Sequence, residues 1–221
     1  KTNHQVVKTK DNEVKTLPDK FYLSPSQKGF FLVNKFTQEK DSSWKAIFCI
    51  KGEINLSNFQ NALNTIMKRH ELLQVTLVTE NIPYFERIKE TKDFPLLFEE
   101  KDTSLDITIK ALLEELEKEE IKLNQWTLIK LKLVKLSKDD YLLSIHSHHI
   151  LADAFSFLIL TKELFQIYSK LEKKQEFDLK TLKNQFSDYV ALVNKELELE
   201  KVTSLNYWKK VFEMPYQKPS L

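Results

Sequence analysis

The sequence predicts an α+β protein in which a mixed, largely antiparallel sheet is covered by helices. Three observations carry that prediction. Short β-branched or aromatic runs recur at Trp44 to Lys51, Leu128 to Leu136 and Tyr141 to Ser147. Apolar residues at helical spacing fill the stretches between and after them. A length of 221 residues with 42% hydrophobic content supports a packed core.

Residues 1–20 are polar and lysine-rich with no apolar period, and read as a linker or flexible arm before an ordered region spanning 21–221. Ser24 caps a short helix with Pro25 at its first position and Phe30, Phe31, Val33 and Phe36 following. Trp44 to Lys51 reads as a strand broken at Gly52, and Asn55 opens a helix with Phe59, Leu63, Ile66 and Met67 on one face, ending near His70. Val75 to Thr79 and Tyr84 to Ile88 read as a hairpin, with another strand at Phe94 to Glu100. A helical stripe of Ile109, Leu112, Leu113 and Leu116 lies between Ser104 and Leu123.

Alternation of Ile129, Leu131 and Leu133 with Lys130 and Lys132, joined through Ser137 to Asp140 to the run Tyr141 to Ser147, predicts an antiparallel pair with one buried face. A helix from Ala154 carries Phe157, Leu158, Leu164, Phe165, Tyr168 and Leu171, and Glu172 to Asp178 reads as a loop. Two helices follow, one from Gln185 through Leu197 and one from Ser204 to Phe212. Met214 to Leu221, with two prolines, reads as the start of a crossing.

The balance of 34 basic and 32 acidic residues, a formal net charge of +2, points to no nucleic-acid or membrane partner. Only Arg69 and Arg87 are arginines, so most of the positive charge reads as solvated lysine. The single cysteine, Cys49, lies in an apolar run and is expected to be a small buried hydrophobe. No apolar stretch reaches the length of a membrane span and the first residues lack a signal-peptide core, so the expected location is cytoplasmic. Two glycines cannot build a glycine-rich phosphate loop, which argues against nucleotide chemistry.

Candidate chemistry concentrates at His148-His149-Ile150-Leu151-Ala152-Asp153-Ala154, where a strand run meets a helix run. A histidine can take a proton from an amine, hydroxyl or thiol at neutral pH. Adjacent residues on an extended backbone face opposite ways, so one imidazole enters a given cavity and the other is structural. Asp153 is placed to cap the following helix or to pair with a cation, Arg69 being the better placed of the two arginines. His146 and His148 share one side of a strand near Asp153, but a binuclear hydrolase would want an acid where Ile150 stands, and no metal is expected. Ser144, Ser147 and Ser156 lack a Gly-x-Ser-x-Gly elbow; Ser156 falls on the first helical turn, to satisfy backbone groups or meet a substrate oxygen.

The motif His148-His149-x-x-x-Asp153-Ala154 resembles the His-His-x-x-x-Asp-Gly signature of nonribosomal peptide synthetase condensation domains, members of the chloramphenicol acetyltransferase-like superfamily. Ser24-Pro25-Ser26-Gln27 resembles the family's opening Ser-x-x-Gln, and Arg69-His70-Glu71-Leu72-Leu73 its Arg-His-Glu-x-Leu. Phe186 to Tyr189 and Tyr207-Trp208 resemble its later aspartate-tyrosine and tyrosine-tryptophan helices.

The resemblance implies that His149 is the active-site histidine, as general base or as the group positioning the attacking amine, with His148, Arg69 and Ala154 as motif residues. Asp153 would hold the loop through an arginine, and Ser24, Gln27 and Ser156 are candidate substrate-side residues. It implies no cofactor bound by this chain. Substrates would arrive on the phosphopantetheine of donor and acceptor carrier proteins.

Ala154 replaces the family's glycine, and Gln74 stands where an arginine would usually follow Leu73. A complete domain of the family has two similar lobes, and this chain resembles the N-terminal one. The expectation is that it is inactive without the second lobe and adjacent synthetase domains, and that its uncovered face favours self-association. An alcohol-esterifying acyltransferase and a non-catalytic carrier-docking module are the alternatives.

Overall fold

The computed structural model describes residues 18–36, 42–90, 92–176 and 179–213. In chain order the elements are β1 (Lys20–Tyr22), α1 (Pro25–Phe36), β2 (Ser43–Lys51), α2 (Leu56–Arg69), a 3-10 turn (Glu71–Gln74), β3 (Val75–Val78) and β4 (Tyr84–Arg87). There follow β5 (Leu96–Glu100), α3 (Leu105–Lys118), β6 (Ile129–Lys135), β7 (Asp140–His148), α4 (Ala154–Glu172) and α5 (Phe186–Glu213).

The strands make two sheets rather than one. A small antiparallel sheet has the order β1-β4-β3, and the main sheet has the order β2-β7-β6-β5, antiparallel except for the parallel pair β5 and β6. In the main sheet Ile129 pairs with Ser147 and Leu131 with Ile145, while Ser43 pairs with His148 and Lys45 with His146. Side-chain alternation therefore sends Leu131, Leu133, Leu143 and Ile145 to one face and Lys130, Lys132, His146 and His148 to the other.

The first face joins the main core with α2 and α4, whose buried residues include Phe59, Leu63, Ile66, Phe157 and Leu164. Full burial of each such side chain contributes about 1.5–3 kcal/mol. Trp44 stacks on Phe157 at 3.9 Å and anchors β2 to α4. Asn55 caps α2, its Oδ1 accepting from the Asn58 N–H at 3.1 Å.

The second face is also covered, which corrects the expectation of a single buried face. On it, α3 packs Leu112 against Val134 and Leu142. Lys132 is therefore only 9% exposed, and is retained there by Glu115 at 2.7 Å and Glu99 at 2.9 Å. Burial pulls the Lys132 pKa down, but the two carboxylates outweigh it and raise it above the ordinary lysine value.

Several boundaries differ from expectation. Lys20, placed in the expected arm, already pairs with Glu86 in β1; the expected arm over 1–17 lies outside the described residues. The helix expected to run towards Leu123 ends at Lys118, and Glu119 turns into extended backbone. The two helices expected over 185–212 are one, α5, because Glu198 to Thr203 contains no glycine or proline to break the turn. The predicted loop begins after Glu172, and the predicted crossing at 214–221 lies outside the described residues.

Cys49 is exposed, against the expectation of burial, since β2 is an edge strand. Cys49 instead lines an open cavity with Ile109 and Leu113. Leu113 and Leu158, both expected in apolar stripes, are 50% and 64% exposed on the flanks of their helices.

Candidate active site

The candidate site is built where β7 ends. His148, the last strand residue, is buried, and its Nδ1 accepts from the Ile150 N–H at 3.0 Å, closing a tight turn. His149 follows as a half-buried residue whose N–H donates to the Ser42 carbonyl at 2.8 Å. Its imidazole stacks on the Phe30 ring with centroids 5.3 Å apart and planes 8° from parallel. The two adjacent histidines therefore take different environments: His148 is packed inside, and His149, in the turn, lies against α1.

Helix α1 holds this turn through Gln27. Ser24 N–H donates to Gln27 Oε1 at 2.9 Å while Gln27 N–H donates to Ser24 Oγ at 3.3 Å, a reciprocal cap. Gln27 Nε2 then donates to the Ile150 carbonyl at 2.7 Å. Ser24 and Gln27 are both buried. Gln27 thus shapes the histidine loop from behind, with Ser24 fixing the start of α1.

Asp153 is the N-cap of α4. Its Oδ1 accepts from the Ser156 N–H at 2.8 Å and from the Ser156 hydroxyl at 2.7 Å. The Ser156 hydroxyl, then its N–H, hold the Asp153 carboxyl below its ordinary pKa, with a smaller contribution from the nearby His149. Ser156 thus closes the N-terminal cap of α4 with both its N–H and its hydroxyl. Ala154 is the first residue of α4 and is exposed. Among the described residues Lys174 alone combines positive φ with a side chain, so the backbone at Ala154 does not demand glycine.

Arg69 does not partner Asp153. Its Nε donates to both Glu163 oxygens at 3.2 Å and its Nη1 to the Lys180 carbonyl at 2.9 Å. Glu163 lies ten residues along α4 from Asp153, about 15 Å at helical rise, too far for one guanidinium to serve both.

Neighbouring residues complete a staple that sequence reasoning missed. His70 Nε2 lies 2.7 Å from Glu163 Oε2, Gln185 Nε2 donates to the Arg69 carbonyl at 2.9 Å, and buried Glu71 accepts from the Ser187 N–H and, at 3.0 Å, from its hydroxyl. The segment Arg69-His70-Glu71 thus ties α2, α4 and the start of α5. Arg69-His70-Glu71 and the run from Phe186 stood out in the sequence as family-like segments, but the ties between them left no local signal.

A second missed group lies on the α3 face. His146, 1% exposed, has Nδ1 at 2.9 Å from Glu119 Oε2 and Nε2 at 2.9 Å from Ser43 Oγ. It borders an open cavity of about 410 Å³ that Ser43, Glu119 and His148 also line. Glu119 lies just past the end of α3, and nothing in the sequence distinguishes it from the acids of that helix. Among the described residues no group of three or more histidine, cysteine or acidic side chains is arranged to hold a metal, and no helix is long and apolar enough to cross a membrane.

A family model described as the condensation domain matches residues 18–221. Surfactin synthase subunit 2 of Bacillus subtilis (strain 168) is 28% identical over 217 residues, covering 96% of this chain and 6% of that protein. Bacitracin synthase 1 of Bacillus licheniformis is 28% identical over 220 residues, covering 95% of this chain and 4% of that protein.

Among solved structures, the X-domain from teicoplanin biosynthesis matches with a TM-score of 0.79 at 19% identity, covering 95% of this chain and 47% of the other. The starter condensation domain of rhizomide synthetase matches with a TM-score of 0.74 at 14% identity, covering 90% and 51%. The chain spans about half the length of these solved chains and a small fraction of the synthetases. The expected chloramphenicol acetyltransferase-like α+β fold is the fold observed.

Proposed function

The chain belongs to the condensation-domain family, and on that premise we propose that it carries the histidine side of an amide-bond-forming site. The observation that carries this reading is the placement of His149: half-buried at a strand end, its backbone fixed by Ser42 and its ring stacked on Phe30, beside a fully packed His148. In the reaction, an acceptor aminoacyl nitrogen attacks the carbonyl of a donor acyl thioester. His149 takes the ammonium or amine proton as general base, or orients the amine by hydrogen bonding, and the thiol departs.

Both substrates would be delivered on phosphopantetheine by donor and acceptor carrier proteins, with this chain supplying neither metal nor nucleotide. A second lobe would complete the substrate channel. Phe155, Leu158 and Ile159 on α4 and Phe212 on α5 are each more than half exposed, which supports a covering partner and makes self-association of the isolated chain expected. We infer a cytoplasmic setting for the assembly.

The test is His149→Ala in the complete synthetase carrying this chain, with loaded carriers and product followed by mass spectrometry. A loss of about 10²-fold or more is expected. Product formation at the parental rate overturns the assignment.

A further inference from the structure

The α3 face of the main sheet carries a second arrangement of reactive groups. In the register of β2 and β7, Lys45 pairs with His146 and Ser43 with His148, so Ser43 is the diagonal neighbour of His146 on one face. Ser43 Oγ is 2.9 Å from His146 Nε2, and Glu119 Oε2 is 2.9 Å from His146 Nδ1. This is the hydroxyl, imidazole and carboxylate order of a nucleophile, its base and the group that orients the base. All three line the open cavity of about 410 Å³, and His149 does not.

We propose that Ser43, His146 and Glu119 form a second acyl-handling site that hydrolyses small acyl esters and thioesters, independently of His149. The Ser43 hydroxyl attacks the acyl carbonyl carbon while His146 Nε2 takes its proton. The tetrahedral intermediate collapses, the carbon to sulfur or carbon to oxygen bond breaks, and His146 returns the proton to the departing thiol or alcohol. Water then attacks the acyl-Ser43 ester with His146 as base. The carboxylic acid leaves and Ser43 recovers its proton, so no oxidant, metal or co-reactant is needed. Side-chain donors from Asn34, Lys122 and Asn124 line the same cavity, where the oxyanion would develop.

The electrostatics suit each role. Burial holds the His146 pKa below its ordinary value, outweighing the opposing Glu119, so the ring is neutral and able to accept a proton at pH 7. Burial pushes the Glu119 carboxyl up, but hydrogen bonds from Lys130 and His146 outweigh it and keep the carboxylate ionised. Glu119 can then stabilise the imidazolium formed during attack.

The test uses the purified chain with a fluorophosphonate probe, mapped by tandem mass spectrometry, and with p-nitrophenyl butyrate and butyryl-N-acetylcysteamine as substrates. The expected result is one adduct, on Ser43, and hydrolysis of both substrates. Ser43→Ala should abolish the adduct and the hydrolysis, Glu119→Gln should slow both by about a hundredfold or more, and exposed Ser204→Ala should match the parent. Absence of a Ser43 adduct in the parent chain overturns the proposal, as does hydrolysis by folded Ser43→Ala at the parental rate. Should circular dichroism show either triad variant unfolded, the adduct map of the parent chain decides alone.

Discussion

Gln27 on α1 donates to the Ile150 carbonyl oxygen across 2.7 Å, joining residues 123 positions apart in the sequence. The acceptor is in the residue that follows His149, so the opening helix of the fold fixes the backbone on which the candidate catalytic imidazole stands. The same Gln27 accepts from the Ser24 N–H through its other terminal atom, so both ends of the amide help to hold the loop.

Gln27→Leu should destabilise the chain by about 1–3 kcal/mol, the cost of stranding a buried carbonyl and a cap N–H. Urea denaturation checks this, and an unchanged midpoint would show that Ile150 finds another donor. In the complete synthetase the same substitution should lower kcat more than it raises KM, because it loosens His149 rather than removing a substrate contact.

Asp153→Ala should cost about 1 kcal/mol through the lost cap of α4. Because Ser156 lowers the folded-state pKa of Asp153, this contribution is fully present above the unfolded value of about 3.9 and is lost as pH falls through the folded value. The stability difference between parent and variant should therefore be flat from neutrality to mild acid and shrink only in stronger acid. Thermal melts across that range supply the comparison.

His146 gives a pH dependence in a different window. Its folded-state pKa is depressed, chiefly by burial, while the unfolded ring binds a proton near about 6.5. Stability linked to His146 is thus present above that value and declines as pH falls through the folded pKa. Melting midpoints of His146→Gln should show a weaker decline below neutrality than the parent; parallel curves would refute the depressed pKa.

A double-mutant cycle separates Glu163, which Arg69 contacts, from Asp153, the partner expected from the sequence. Arg69→Ala with Glu163→Gln should show a coupling of about 0.5 kcal/mol or more, whereas Arg69→Ala with Asp153→Asn should be additive within about 0.3–0.5 kcal/mol. The reverse pattern in denaturation experiments would place the guanidinium on Asp153.

Much of the fold was legible because its signals are local. The alternation through β6, the Ser24-Pro25 helix start and the Asn55 cap each depend on neighbours within a few residues, and each element appears close to its predicted place. The break predicted between Leu197 and Ser204 failed for the same reason: Ser204 reads locally as a helix start, yet the run before it contains no group that blocks a helix. The motif at His148 and His149 was likewise visible, since a strand run meets a helix run there within a few residues.

What sequence by itself determined, then, was the α+β class, the position of the histidine loop at a strand end, and the helix cap at Asp153, all set by backbone period and short-range hydrogen bonding. Tertiary structure alone decided which distant groups meet. It sent Arg69 to Glu163, Gln27 to Ile150, and Ser43 and Glu119 to His146. Those pairings depend on strand register and on how helices lie across the sheet, and a long-range contact between two common polar residues leaves no periodic trace in the chain.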